Sequence, residues 1–167
     1  LVAGGTGTLG ARLVQRLAGA GLAVRVLTRD PDRARYLAGP GVDVVRGDVR
    51  DAASVGRALR GAGTVVSAVH GFAGGGGVSP ASVDRAGNAN LIHAAARAGA
   101  AFVLVSVVGA SPGHPVGLFR AKHAAEVAVA LWSGPTVLRR IPAIVATLAS
   151  DGPDGIAFNG SRCGPGR

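Results

Sequence analysis

Cysteine occurs once in the 167 residues, at Cys163, which excludes a disulfide framework or a multi-cysteine metal site within the chain. A reducing, cytoplasmic setting is the simplest reading. Lysine also occurs once, at Lys122, although 18 residues are basic and 9 acidic. The other 17 basic residues are arginines, scattered singly except for the pair Arg139-Arg140. Phe, Tyr and Trp fill only six positions, so no aromatics interleave with the basic residues. The formal charge of +9 therefore gives little support for nucleic acid as a partner. It favours smaller anionic ligands such as nucleotides. Long apolar runs are missing too. Residues 100–105 and 141–149 fall far short of the roughly 18–20 needed to span a bilayer. No basic segment followed by an apolar stretch marks a secretory signal. The chain opens at Leu1 inside what reads as a strand, so a few residues are expected before it. Hydrophobic residues make up 48% and charged ones 16%, which excludes a disordered chain.

Short β-branched runs alternate with Ala/Leu/Arg-rich segments of helical period. The runs at 1–3, 23–28, 42–46, 64–68, 101–106 and 136–139 read as strands. The segments 8–18, 31–37, 52–60, 82–98 and 118–132 read as helices. Leu9, Leu13, Val14 and Leu17 fall on one helical face, as do Leu91, Ile92, Ala95 and Ala96. Gly19, Gly21, Gly61 and Gly99 stand where helices end in a left-handed residue. Alternating strands and helices predict a parallel sheet covered on both faces: a Rossmann-type, doubly wound α/β/α sandwich. The sheet is expected to occupy residues 1–142, with a shortened C-terminal region, 143–167, ending in a disordered Gly/Pro-rich tail. Residues 141–149 are expected to add one more helix or strand. The stretch 71–80, with four consecutive glycines from Gly74 to Gly77, is expected to be a mobile loop.

The strongest local motif is Gly4-Gly5-Thr6-Gly7-Thr8-Leu9-Gly10, between the first strand and the first helix. Gly4 frees the tight turn, Gly7 lets a pyrophosphate approach the backbone, and Gly10 lets helix pack on sheet. The helix start adds unpaired N–H groups and a positive dipole end. No Gly-Lys-Ser/Thr follows, which excludes a P-loop. Arg29 lies 19 residues after Gly10, near the tip of the second strand. With Arg33 it can fork onto a 2′-phosphate, which favours NADP(H) over NAD(H). NAD(H) stays open because Asp30 is adjacent, although Asp30 before Pro31 also reads as a helix N-cap. Asp48, after the third strand, either accepts from an adenine amino group or shares with Asp51 the capping of the helix at Ala52.

Together these residues resemble the atypical short-chain dehydrogenase/reductase superfamily and, within it, the NmrA-like group. The resemblance runs through residues 4–10, 27–31, 47–51, 83–98, 102–109 and 118–126. It implies that residues 4–10, with Thr6, Thr8 and Leu9 among the glycines, hold the pyrophosphate. Arg29 would hold the 2′-phosphate, Asp48 and Val49 would lie at the adenine, and Ser67, Ala68 and Val69 would pass beside the cofactor. Extended members carry Tyr-x-x-x-Lys followed by Glu. Lys122 and Glu126 keep that spacing, but the Tyr position falls on Leu118. Ser106 matches the family's Ser, placed to bond a substrate carbonyl, and Lys122 its Lys, placed at the nicotinamide ribose. Ser106 and Lys122 are thus the expected catalytic pair. A Lys-assisted phenol, the usual proton carrier, is missing. His114 and His123 have the intrinsic pKa to replace it, though a surface role suits both. His70 and His93 read as structural. The four histidines give no metal-site signal.

Two functions follow. One is an oxidoreductase passing hydride from NADPH to a small carbonyl or quinone-like acceptor. The other is a non-catalytic NADP(H)-sensing module acting through a protein partner. Family members continue into a C-terminal region that shapes the substrate pocket, so a partner, such as a second copy of the chain, is expected to complete it.

Overall fold

The computed structural model describes residues 1–72, 76–132 and 134–141. The expected segment at 141–149 and the tail to Arg167, with Cys163, therefore lie beyond the described residues or at their very edge. The strands are β1 (Val2–Ala3), β2 (Val24–Thr28), β3 (Val42–Arg46), β4 (Thr64–Ser67), β5 (Ala101–Val107) and β6 (Thr136–Ile141). The α-helices are α1 (Thr8–Gly19), α2 (Ala52–Leu59), α3 (Asn88–Ala98) and α4 (Gly117–Ala130). Every strand pair is parallel, and the order is β3-β2-β1-β4-β5-β6. The fold is a Rossmann-type doubly wound sheet. The chain leaves one half at β3 and re-enters beside β1 at β4, so the crevice between β1 and β4 is the point where such sheets bind ligands.

Alternating side chains divide the core in two. Val2, Val24 and Val26 pack with Val14 of α1 and with Leu37. Ala3, Leu27, Val65, Phe102 and Leu104 pack on the other face under α2, α3 and α4. Period-two alternation in the strands produces this sorting, and helical period in α1 and α3 supplies the facing stripes. On the α1 side Val66, Val103 and Val105 border an apolar groove of about 1120 Å³ shared with Leu9 and Leu13.

Two expected helices take other forms. Residues Asp32–Leu37 form a 3₁₀ helix, and Asp30 bonds the Asp32 N–H at 3.0 Å just before it. The single helix expected over 82–98 is split. Pro80–Gly87 winds in wider, π-type turns and hands over to α3 at Asn88. Ser79 and Ser82 cap its start reciprocally, at 3.1 and 2.9 Å. The wide turns end where Asn88 Nδ2 donates to the Asp84 carbonyl at 2.6 Å, a side-chain bond that competes with the regular ladder. Gly19 remains helical, and the positive φ of 78° that ends α1 falls on Gly21 instead.

Candidate functional site

β1 is only two residues long, so the chain turns sharply at Gly4, whose φ is +84°. A Cβ there would stand 2.5 Å from the Ala68 carbonyl oxygen, because the turn lies flat against the end of β4. A Cβ at Gly10 would strike the Gly4 carbonyl oxygen, so α1 packs against the turn only through hydrogen. Gly7 differs. Its backbone is extended, and an added Cβ would have only the Gly4 oxygen nearby, at 3.5 Å. Here glycine is not needed for the fold. It leaves room in the cleft directly before the α1 N–H groups.

That cleft encloses about 280 Å³. Gly4, Thr6 and Gly7 line it beyond β1, Arg29 and Arg33 beyond β2, and Val69 and His70 beyond β4. Asp48, Val49 and Ala68 complete its walls. The site residues that the sequence singled out thus fall into three groups. Gly4, Thr6, Gly7, Arg29, Asp48, Val49, Ala68 and Val69 line one cleft. Thr8, Leu9 and Gly10 open α1 behind it, with Leu9 turned toward the apolar groove. Ser67, Ser106 and Lys122 are wholly enclosed, at 0% exposure.

The geometry around Asp48 is specific. Arg50 grips its carboxylate with Nε at 3.1 and 3.0 Å and Nη2 at 2.6 Å, while the Arg50 N–H adds a bond of 2.9 Å. These hydrogen bonds hold the Asp48 carboxyl below the usual range, against the opposing effect of partial burial. Arg50 Nη1 also donates to the Gly76 carbonyl, tying the glycine-rich loop to the rim at 3.1 Å. The helix cap weighed between Asp48 and Asp51 goes to Asp51, whose Oδ1 accepts from Ala53 N at 2.9 Å.

Behind the β4 end lies a buried ion pair. Lys122 Nζ stands 3.0 Å from Asp84 Oδ1, and both side chains are 0% exposed. The ammonium also donates to the carbonyls of Val69 at 2.7 Å and Val105 at 3.1 Å. Asp84 Oδ2 accepts the Gly71 N–H at 2.7 Å. Burial pushes the Asp84 carboxyl up from its ordinary value, against the pull of Lys122 and the Gly71 N–H. Ser106 Oγ, buried at the end of β5, has no hydrogen-bond partner among the described residues. Leu118 occupies the expected Tyr position at 1% exposure and has no proton to give.

Of the two alternatives weighed for proton transfer, His114 is tied into its own loop. Its Nδ1 accepts from Val116 N at 3.1 Å, and its ring stacks on Phe119 at 4.0 Å. His70 corrects the sequence reading. Taken there as structural, it is exposed in the cleft, on the residue that follows Val69. The usable signal was its place just beyond the C-terminal end of a strand, where open parallel sheets put their ligands.

Residues 4–132 match the NAD(P)H-binding family, and the chain belongs to it. An NAD(P)H azoreductase from Xenophilus azovorans is 37% identical over 122 residues, which are 72% of this chain and 39% of that protein. Two solved structures share the fold at 25% identity over 83% of this chain. One is an NADPH-dependent quinone oxidoreductase from Escherichia coli, with a TM-score of 0.69 and 47% of its length matched. The other is the triphenylmethane reductase of a Citrobacter species, with a TM-score of 0.67 and 48% matched. The chain thus spans about two-fifths to one-half of the length of these relatives. Among the described residues no helix is long and apolar enough to cross a membrane.

Proposed function

We propose that the chain is the dinucleotide-binding part of an oxidoreductase of the short-chain dehydrogenase/reductase type, NmrA-like in its motifs. It uses NADPH in preference to NADH, in the cytoplasm, to reduce a small carbonyl or quinone-like acceptor. The observation that carries this reading is the single cleft joining the Gly7 turn to Arg29 and Arg33. The open space at Gly7 fits a pyrophosphate, and the paired guanidinium groups fit a 2′-phosphate. The names of the three relatives agree in describing reductases. When bound, the reduced dinucleotide supplies a hydride.

The chain's own residues bind and orient. The α1 N–H groups and residues 4–10 face the pyrophosphate, Thr6 and Gly7 from the cleft floor. Arg29 takes the 2′-phosphate. Val49 and the Asp48–Arg50 pair form the wall at the adenosine. Ala68 and Val69 pass beside the ligand, with Ser67 beneath them. Ser106 and Lys122, the expected catalytic pair, are both enclosed. Ser106 would reach a substrate carbonyl only once the end of β5 opens, and Lys122 serves the nicotinamide side from behind, through the Val69 carbonyl it holds. A partner chain, such as a second copy, or further sequence closes the substrate side.

Calorimetric titration with NADPH and NADH tests the cofactor assignment. Arg29→Ala should weaken NADPH about tenfold or more, the worth of a charge-assisted hydrogen bond, and leave NADH nearly unchanged. Equal losses for both would remove Arg29 from the 2′-phosphate. No binding of either by the wild-type chain would overturn the reading. The second reading, an NADP(H) sensor without catalysis, is favoured by Leu118 at the Tyr position. Tight NADPH binding with no turnover of any acceptor would select it.

A further inference from the structure

His70 is exposed in the cleft, and the peptide groups on both sides of it are fixed from behind. The Val69 carbonyl accepts from Lys122 Nζ at 2.7 Å. The Gly71 N–H donates to Asp84 Oδ2 at 2.7 Å. Lys122 and Asp84 are themselves a buried pair, 3.0 Å apart. One ion pair thus grips the backbone before and after a single imidazole. Gly71 makes the arrangement compact, since a Cβ there would strike the Ser79 carbonyl oxygen. A side chain presented from a backbone held by buried charges is pre-organised in a way that a loop residue ordinarily is not.

Strand order decides which part of a dinucleotide meets this ring. Arg29 follows β2, the glycine turn follows β1, and His70 follows β4, in the spatial order β2-β1-β4. With the 2′-phosphate over β2 and the pyrophosphate over β1, the second nucleoside, which carries the reacting ring, lies over β4 and β5. Ser106 is the penultimate residue of the neighbouring strand β5. We propose that His70 is the proton donor of this site, aimed at the reacting end of the dinucleotide by the Asp84–Lys122 pair. The proposal rests on the NADP(H) oxidoreductase reading above and supplies the acid that Leu118 cannot.

The step balances simply. The acceptor gains a hydride, two electrons and one proton, from the reduced nicotinamide, which is oxidised. A ring N–H of the His70 imidazolium breaks, and its proton goes to the acceptor heteroatom. Water at the open side of the cleft reprotonates the ring. Asp84, on the π-type turn, favours the charged imidazole, whereas Lys122, on α4, opposes it. Arg29, Asp30, Arg33 and Asp48 line the same cleft. The cleft walls strip part of the water from the ring although its edge stays exposed, and this desolvation is the larger influence, pushing His70 below the usual histidine range. The phosphates of a bound dinucleotide act the other way.

The test uses the 167-residue chain and its His70→Asn and His70→Gln variants. Histidine resonances are titrated by NMR with and without NADP⁺, the His70 signal being assigned by its loss in the variants. The His70 midpoint should lie below the ordinary histidine value and rise when NADP⁺ binds. Turnover of NADPH with a naphthoquinone or a simple azo dye should fall about 100-fold in both variants, the usual worth of a general acid. NADPH affinity should stay within about threefold, and the loss of rate with rising pH expected of the wild type should vanish in the variants. A His70 midpoint unmoved by NADP⁺ that calorimetry shows to be bound would overturn the proposal and leave the cofactor reading intact. So would variants that keep the wild-type rate, or a wild type that binds NADPH but turns over neither acceptor. Failure of the wild type to bind either nucleotide would overturn both.

Discussion

At Gly7 one substitution should separate binding from folding. The backbone is extended, a conformation open to any residue, and an added Cβ meets nothing closer than the Gly4 oxygen at 3.5 Å. Gly7→Val should therefore leave the melting temperature close to that of the wild type. Its methyl groups would stand before the α1 N–H groups, where the pyrophosphate must approach. NADPH affinity should fall about 100-fold or more, equivalent to about 2.7 kcal/mol. A Gly7→Val protein that binds NADPH normally would remove the glycine turn from the site. Much of this half of the site is legible in sequence because it is local: three glycines at fixed spacing, then an arginine at the next strand tip. His70 is not legible in that way. Its partners act through residues 13 and 53 positions apart, Gly71 to Asp84 and Val69 to Lys122. Linear spacing carries no trace of them.

Elements fare better, because strand and helix periods are local properties. The six strands fall within one or two residues of their expected limits, and the alternation alone gives the parallel sheet. The wide turns over Pro80–Gly87 were hidden because they depend on Asn88, which bonds back to Asp84 and accepts from Ser67 Oγ at 2.5 Å across to β4. Caps were legible only as alternatives. Asp48 and Asp51 both precede α2; Arg50, two residues on, engages Asp48, and Asp51 caps the helix. Asp51→Ala should then cost about 1 kcal/mol by urea unfolding, the usual worth of an N-cap carboxylate. Asp51→Asn should recover most of it, since the amide oxygen can accept from Ala53 N. No loss in Asp51→Ala would show that the α2 N-terminus is satisfied elsewhere.

Across the whole molecule, the Asp84–Lys122 pair joins α4, the π-type turn and the ends of β4 and β5 at one point. Both side chains lack solvent, so each charge depends on the other. Lys122→Met would leave the Asp84 carboxylate buried beside an apolar chain. That should destabilise the protein by about 3–5 kcal/mol near neutral pH. The pH dependence has a definite sign. Burial already raises the Asp84 carboxyl, and Lys122 is the strongest group lowering it. Without that cation the native carboxyl moves higher still. Between the unfolded carboxylate value and that raised value, the native state binds more protons than the unfolded state, so stability falls as pH rises. Acidification neutralises the buried carboxyl. The deficit of Lys122→Met relative to the wild type should therefore shrink as pH is lowered from 7 toward 5. Adding Asp84→Asn should remove this pH dependence and restore part of the lost stability, since a neutral amide replaces the unpaired charge. Urea unfolding of the three proteins at several pH values measures both effects. A deficit that grows on acidification would mean that Asp84 is charged for reasons other than Lys122, and that the pair does not hold the β4 end.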